Sequence, residues 1–336
     1  MGVLQSSPRV QFFDRLPAAA DPAMELRAGL IANPASISPK FFYDALGARL
    51  FEAICELPEY ALPRDEQVIF ARRTTEIAAA VGVGPTLIDL GAGNCAKAER
   101  LFGALRPSQY VAVDIASAFL REQLAAVAHR HTDIEVIGVA ADFMHGFELP
   151  DAVRPQRRLA FYPGSSIGNF STAEATTFLA QVRRICSGGH LLLGADLVKS
   201  PAELVRAYDD VLGVTAAFNL NVLNVTNRLA GTNFKLADWR HVALFNAAES
   251  RIEMHLEARR TVTVTWPGAE RRSSRAIAST PRIRTSTRCP GCPRYCARPV
   301  TRPCAPTPIR LTASRWRWPN RRRPAASAQR ASLTVA

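Results

Sequence analysis

Apolar residues change rhythm several times along the chain. From residue 23 to about 80 they recur at helical spacing, as in Phe41-Phe42-Tyr43-Asp44-Ala45-Leu46 and over 50–54. Pro58 and Pro63 bracket a loop, and a helix is expected from 64 to about 81. From Pro85 the pattern alternates. Short apolar runs over 86–90, 110–115, 134–140, 158–162 and 191–197 read as strands, and 96–105, 117–128 and 173–186 read as helices. Ser117 is placed to cap the second of these helices, and Gly188-Gly189 to end the third. Residues 201–247 read as mostly helical, while 253–266 alternates and is rich in Thr and Val, as an antiparallel strand pair would be. After Arg272 the rhythm stops.

Buried strands joined through helices predict βαβ units on a parallel sheet, hence an α/β, Rossmann-like fold with a smaller α+β region beside it. Residues 1–84 are expected to form an N-terminal helical region and 85–200 the nucleotide-binding core. Residues 201–272 would form a region of helix and strand, and 273–336 a disordered tail. The tail is 64 residues with nine Pro and no periodicity, too little apolar surface to offset chain entropy.

Charge divides at the same point. The formal net charge is +13, which suggests a nucleic-acid partner, but 14 of the 42 Lys and Arg lie after Arg272, leaving 28 against 29 acidic residues. The body therefore has no basic footprint, and no nucleic-acid partner is expected for it. No apolar run approaches the roughly 20 residues that span a bilayer, so no membrane partner is expected either. Met1 to Asp14 lacks the basic start and apolar core of a signal peptide. Cys55, Cys95 and Cys186 are widely spaced, as reduced thiols would be. A cytoplasmic monomer is expected, with no metal.

Candidate chemistry begins after the first core strand. Asp89-Leu90-Gly91-Ala92-Gly93 joins a strand to a helix, a turn that lets backbone approach a nucleotide near free helix N–H groups. A dinucleotide loop would want a third Gly near Ala96. Asp114 ends the next strand, where a carboxylate can accept both ribose hydroxyls of an adenosine. Asp142-Phe143 follows the third strand, an acid for an exocyclic amine beside a ring for the base. Taken singly these are turn glycines, a solvated acid and a core aromatic. In this order they resemble methyltransferases that use S-adenosylmethionine. Gly164-Ser165-Ser166-Ile167-Gly168-Asn169 follows the fourth strand, where small residues leave room and Asn169 can both donate and accept hydrogen bonds.

Residues from about 25 to 265 resemble the histidine Nα-methyltransferase family of ergothioneine biosynthesis. The matching stretches include Pro39-Lys40-Phe41-Phe42-Tyr43-Asp44, Leu57-Pro58-Glu59-Tyr60, the 164–169 loop, Asp196-Leu197-Val198-Lys199, residues 204–210, residues 213–219 and Arg251-Ile252-Glu253-Met254. The resemblance implies a class I S-adenosylmethionine-dependent methyltransferase that trimethylates the α-amine of L-histidine. It implies that Gly91, Lys97, Asp114, Asp142 and Phe143 hold S-adenosyl-L-methionine. It implies that Tyr60, Asn169 and Tyr208 hold histidine, with Gly164, Thr215 and Met254 nearby, and that Tyr60 and Asn169 serve catalysis. His241 and His255 read as structural.

The family carries, after its strand pair, a Thr-Glu-x-Ser run for the imidazole and then a last helix and strands. None of that is legible here. With one choice of codons, residues 278–288 read two bases on yield such a run, and a shifted GC-rich gene accounts for the Arg/Pro composition. A frameshifted C-terminus is the expectation. The tail's rivals are a zinc site at Cys289, Cys292, Cys296 and Cys304 and an RNA-binding arm. The rivals for the whole chain are an enzyme for another small amine and an Arg-tailed nucleic-acid binder with a vestigial methyltransferase core.

Overall fold

The computed structural model describes residues 10–16, 21–143, 146–197, 199–248 and 251–273, together with the backbone of 283–286, 309–311 and 331–335. The chain divides into two units that are interleaved in sequence. One comprises 1–17, 64–196 and 299–336, the other 18–63 and 197–298. The expected boundary at 84 falls inside the first unit, which takes in most of the helix that starts at Leu62 because its buried Phe70, Ile77 and Val81 join that unit's core.

The first unit is built on parallel strands. In chain order it contains β1 (Gln11–Asp14), β2 (Thr86–Leu90), β3 (Gln109–Asp114), β4 (Glu135–Ala140), β5 (Arg158–Tyr162) and β6 (His190–Asp196). Six parallel strands run in the spatial order β1-β4-β3-β2-β5-β6. Helices α3 (Leu62–Val81), α4 (Ala96–Leu105), α5 (Ser117–Arg130) and α6 (Thr172–Cys186) flank them. Side chains alternate between two cores, as period-2 strands buried on both faces require. Tyr110 and Ala112 of β3 join Phe70 and Ile77 of α3, Leu101 of α4 and Leu120 of α5. Val111 and Val113 of the same strand join Phe178 and Val182 of α6. The Rossmann-like expectation is met.

The second unit holds α1 (Pro22–Ile31), α2 (Ala45–Glu56), α7 (Pro201–Tyr208) and α8 (Val214–Ala230), then β7 (Trp239–Asn246), β8 (Arg251–Ala258), β9 (Val262–Trp266) and β10 (Ala269–Ser273). Its core gathers Leu26 and Leu30 of α1, Phe218 and Val222 of α8, Trp239, Met254 and Trp266.

Several expectations are corrected. Residues 239–246, read as helical, form β7 and pair antiparallel with β8 from Trp239 opposite Ala258 to Asn246 opposite Arg251. Strands β8 and β9 both exist, but they do not pair with each other; β9 pairs with β10. The link between them is tied the other way. Arg259 Nε donates to the Trp239 carbonyl at 3.0 Å, and Arg260 grips both oxygens of Asp238. Residues 39–42 form a 3-10 turn, and α2 starts only at Ala45, its N-terminus capped by Asp44. Ser117 makes no capping hydrogen bond; Ala116 holds the N-cap position of α5. Within the tail, backbone strands form at β11 (Ile283–Ser286), β12 (Ile309–Leu311) and β13 (Ala331–Val335), where no order was expected. β11 pairs with β8, and β13 pairs antiparallel with β6. Pairing uses backbone groups that every non-Pro residue carries, so an Arg-rich composition does not forbid it. The rest of the expected disorder, and the four tail cysteines, lie outside the described residues. Among the described residues no helix is long and apolar enough to cross a membrane.

Candidate active site

Parallel strands end on one side, so whatever follows β2, β3, β4 and β5 gathers at one edge of the first unit. Strand β2 pairs with β3 on one side and β5 on the other, which opens a crevice at its carboxyl end. Gly91 follows β2, Asp114 ends β3, Asp142-Phe143 follows β4, and Gly164 follows β5.

The loop after β2 is fixed by that geometry. Gly91 has φ +75°, and a Cβ there would lie 3.7 Å from the Phe143 ring. Gly93 N donates to Asp114 Oδ2 at 2.9 Å, and Ala116 N to Asp114 Oδ1 at 2.9 Å. These two contacts orient the carboxylate and leave each oxygen a lone pair for a further donor. Phe143 packs edge-on against Tyr162 at 5.9 Å between centroids, half-buried beside Asp142.

Lys97, on the first turn of α4, is half exposed and pairs with Glu66 of α3, Nζ to Oε2 2.6 Å. The other Glu66 oxygen accepts the Gly164 N–H at 2.6 Å. A Cβ on Gly164 would lie 3.0 Å from Lys97 Nζ, so the ammonium and this loop are neighbours. The loop closes in a 3-10 turn over Ser166–Asn169 and is tied to β6 by Asp196 N donating to Ser165 Oγ at 2.9 Å. The side-chain oxygen of Asn169 is buried and accepts no hydrogen bond among the described residues.

The second unit assembles another set. Tyr60 and Tyr208 meet edge to face at 6.1 Å, and Tyr60 also meets Phe51. The Tyr208 carbonyl lies 2.7 Å from His241 Nε2, and His241 Nδ1 lies 2.8 Å from Asn219 Nδ2. Burial holds the imidazole below its ordinary pKa, so the neutral ring donates from Nε2 and accepts at Nδ1. Thr215 is buried on the first turn of α8, with its N–H on Asp210 Oδ1 at 2.7 Å. Met254 is buried on β8, opposite Ala243.

A sequence profile for histidine-specific, S-adenosylmethionine-dependent methyltransferases matches residues 22–288. The chain belongs to this family. It is 44% identical over 252 residues to a histidine N-alpha-methyltransferase of Mycolicibacterium smegmatis, covering 72% of this chain and 77% of that one. A protein of the same name from Mycobacterium tuberculosis is 41% identical over 240 residues, covering 70% of this chain and 74% of its own. Ergothioneine biosynthesis protein 1 of Neurospora crassa is 33% identical over 216 residues, which is 62% of this chain and 24% of that protein.

The methyl donor of the family is S-adenosylmethionine, and the first unit carries chemistry that fits it. A carboxylate with spare acceptor capacity, an aromatic face beside an acid, a Gly turn that passes close to that face and an ammonium stand together at one sheet edge. Of the sequence-predicted residues, the first unit brings together Gly91 with Phe143, Asp114 with the Gly93 turn, and Lys97 with Gly164. The second brings together Tyr60 with Tyr208. Glu66 was not among the expected site residues. The signal was available: it shares one stripe of α3 with Phe70, Ile77 and Val81, all buried, and an acid on an apolar stripe demands partners. Among the described residues no cluster of three His, Cys, Asp or Glu groups is placed to hold a metal ion.

Proposed function

We propose that the chain transfers the methyl group of S-adenosylmethionine to the α-amino group of L-histidine, three times over, giving N,N,N-trimethylhistidine for ergothioneine synthesis. Family membership and the names of the relatives support the acceptor. The observation that carries the reading is the buried Asn169 oxygen, an acceptor with no partner among the described residues on the loop beside Lys97. An α-amine offers the N–H it lacks.

The proposed roles follow from residue chemistry. Asp114 takes the ribose hydroxyls, Asp142 and Phe143 take the adenine, Gly91 lets the backbone close on the donor, and Lys97 takes its carboxylate. Gly164 belongs to the loop that carries Asn169. Tyr60, Asn169 and Tyr208 hold histidine, with Thr215 and Met254 beside it. The sulfonium is already electrophilic, so the protein's task is to present a neutral amine in line with the S–CH3 bond. Tyr and Asn suit this, since neither brings a fixed charge that would keep the amine protonated. The protein would act as a cytoplasmic monomer without metal, nucleic acid or membrane.

The test is direct. Purified protein with donor and millimolar histidine is expected to form mono-, di- and trimethylhistidine, followed by mass spectrometry. Asn169→Ala is expected to lower kcat/KM for histidine about 10- to 100-fold, the loss of one buried hydrogen bond of about 1–3 kcal/mol. Methylation of another amine in preference to histidine would overturn the acceptor.

A further inference from the structure

We propose that Glu66 is a positioning residue that couples the donor site to the acceptor loop through Lys97. This rests on the reading of Lys97 as the ligand of the donor's carboxylate.

Glu66 is a buried carboxylate, 5% exposed, that faces two donors with its two oxygens. Oε2 takes the Lys97 ammonium and Oε1 the Gly164 N–H, both at 2.6 Å. One residue on α3 therefore fixes a side chain at the start of α4 and the first peptide of the loop that ends in Asn169. The site is built for this shape. Gly194 of β6 lies against it, and a Cβ there would stand 3.0 Å from Pro163 Cα and 3.1 Å from both Glu66 Oε1 and Gly164 N.

The consequence is pre-organisation. A free lysine carries large rotamer entropy that a ligand must remove on binding. Glu66 removes it beforehand and leaves the ammonium's other protons for an incoming carboxylate. By holding Gly164 as well, the same carboxylate keeps the loop in step with the donor. Glutamine cannot replace it. Both Glu66 partners are donors, and an amide has one acceptor oxygen, so Gln must set its NH2 against either the ammonium or the peptide N–H. Aspartate keeps the charge and loses reach.

Isothermal titration with S-adenosylhomocysteine reads the donor half without requiring turnover. Glu66→Gln is expected to weaken its Kd at least tenfold, and Glu66→Asp severalfold, with thermal melts showing folded protein at the assay temperature. Lys97→Met is expected to weaken it similarly. Adding Glu66→Gln to Lys97→Met should change the Kd by no more than twofold, because the route through Lys97 is already gone. A merely structural role would lower the melting temperature and leave the Kd of the folded protein unchanged. Wild-type affinity in both Glu66 variants overturns the proposal, as does an undiminished Glu66→Gln effect in the Lys97→Met background. Should wild-type protein bind S-adenosylhomocysteine but leave histidine unmethylated, the acceptor reading fails and the Glu66 comparison still decides this one.

Discussion

Asp89 shows how one side chain can make the fold sensitive to pH. It is buried on β2 and accepts a hydrogen bond from Tyr110 Oη at 2.8 Å. Burial pushes its carboxyl up to about 7, the Tyr110 hydrogen bond opposing and the nearby Asp114 charge adding to the rise. The folded chain thus holds this proton more tightly than the unfolded chain. The stability that results is fully present below the ordinary value of 3.8 and is lost as pH rises through about 7. Asp89→Asn is expected to flatten that decline, by at most about 4 kcal/mol over a shift of this size. Urea unfolding at stepped pH between 4 and 7 reads it, and an unchanged slope would contradict the assignment. That Gly91, Asp114 and Phe143, the residues proposed for the donor, gather at one sheet edge was legible in the sequence because strand ends fix their spacing. Glu66 is easily passed over because an acid in a helix ordinarily faces water, although its place on one stripe with Phe70, Ile77 and Val81 marks it as turned inward.

Helix α8 depends on an acid that precedes it. Asp210 accepts from Val214 N at 3.0 Å and Thr215 N at 2.7 Å, two of the orphan donors of the first turn. Burial opposes its ionisation, but the Thr215 and Val214 groups outweigh it and hold the carboxyl below its ordinary pKa. Asp210→Ala is expected to cost about 1–2 kcal/mol, the scale of a lost N-terminal cap, and Asp210→Asn less. Chemical denaturation of the two variants gives the ranking, and equal stability of wild type and Ala would refute it. Legibility at this scale follows the source of order. The core strands β2 to β6 are continuous apolar runs and could be read directly. Strand β1 is four residues long, and its order comes from pairing with β4, from Gln11 opposite Ile137 to Asp14 opposite Ala140. Strand β7 likewise takes its form from β8. No local pattern states such a partnership.

For the molecule as a whole, we propose that the tail limits how tightly histidine is held. If the frame shifts near residue 272, the acid–x–Ser run for the imidazole is missing, and the 336-residue chain is expected to bind histidine only weakly. Replacing the tail with the alternative reading frame should tighten histidine binding at least tenfold in calorimetry. Micromolar affinity for histidine in the present chain would show that the tail replaces nothing essential. The interleaving of the two units has a separate consequence, for synthesis. The first unit collects 1–17, 64–196 and 299–336, so neither unit corresponds to one unbroken stretch of gene. No single proteolytic cut releases either one, and an expression plasmid for the donor half needs three exon-like pieces spliced together. On the ribosome, β1 emerges first and has nothing to pair with until β4 has been translated, so sheet assembly waits on long-range closure and is expected to be slow.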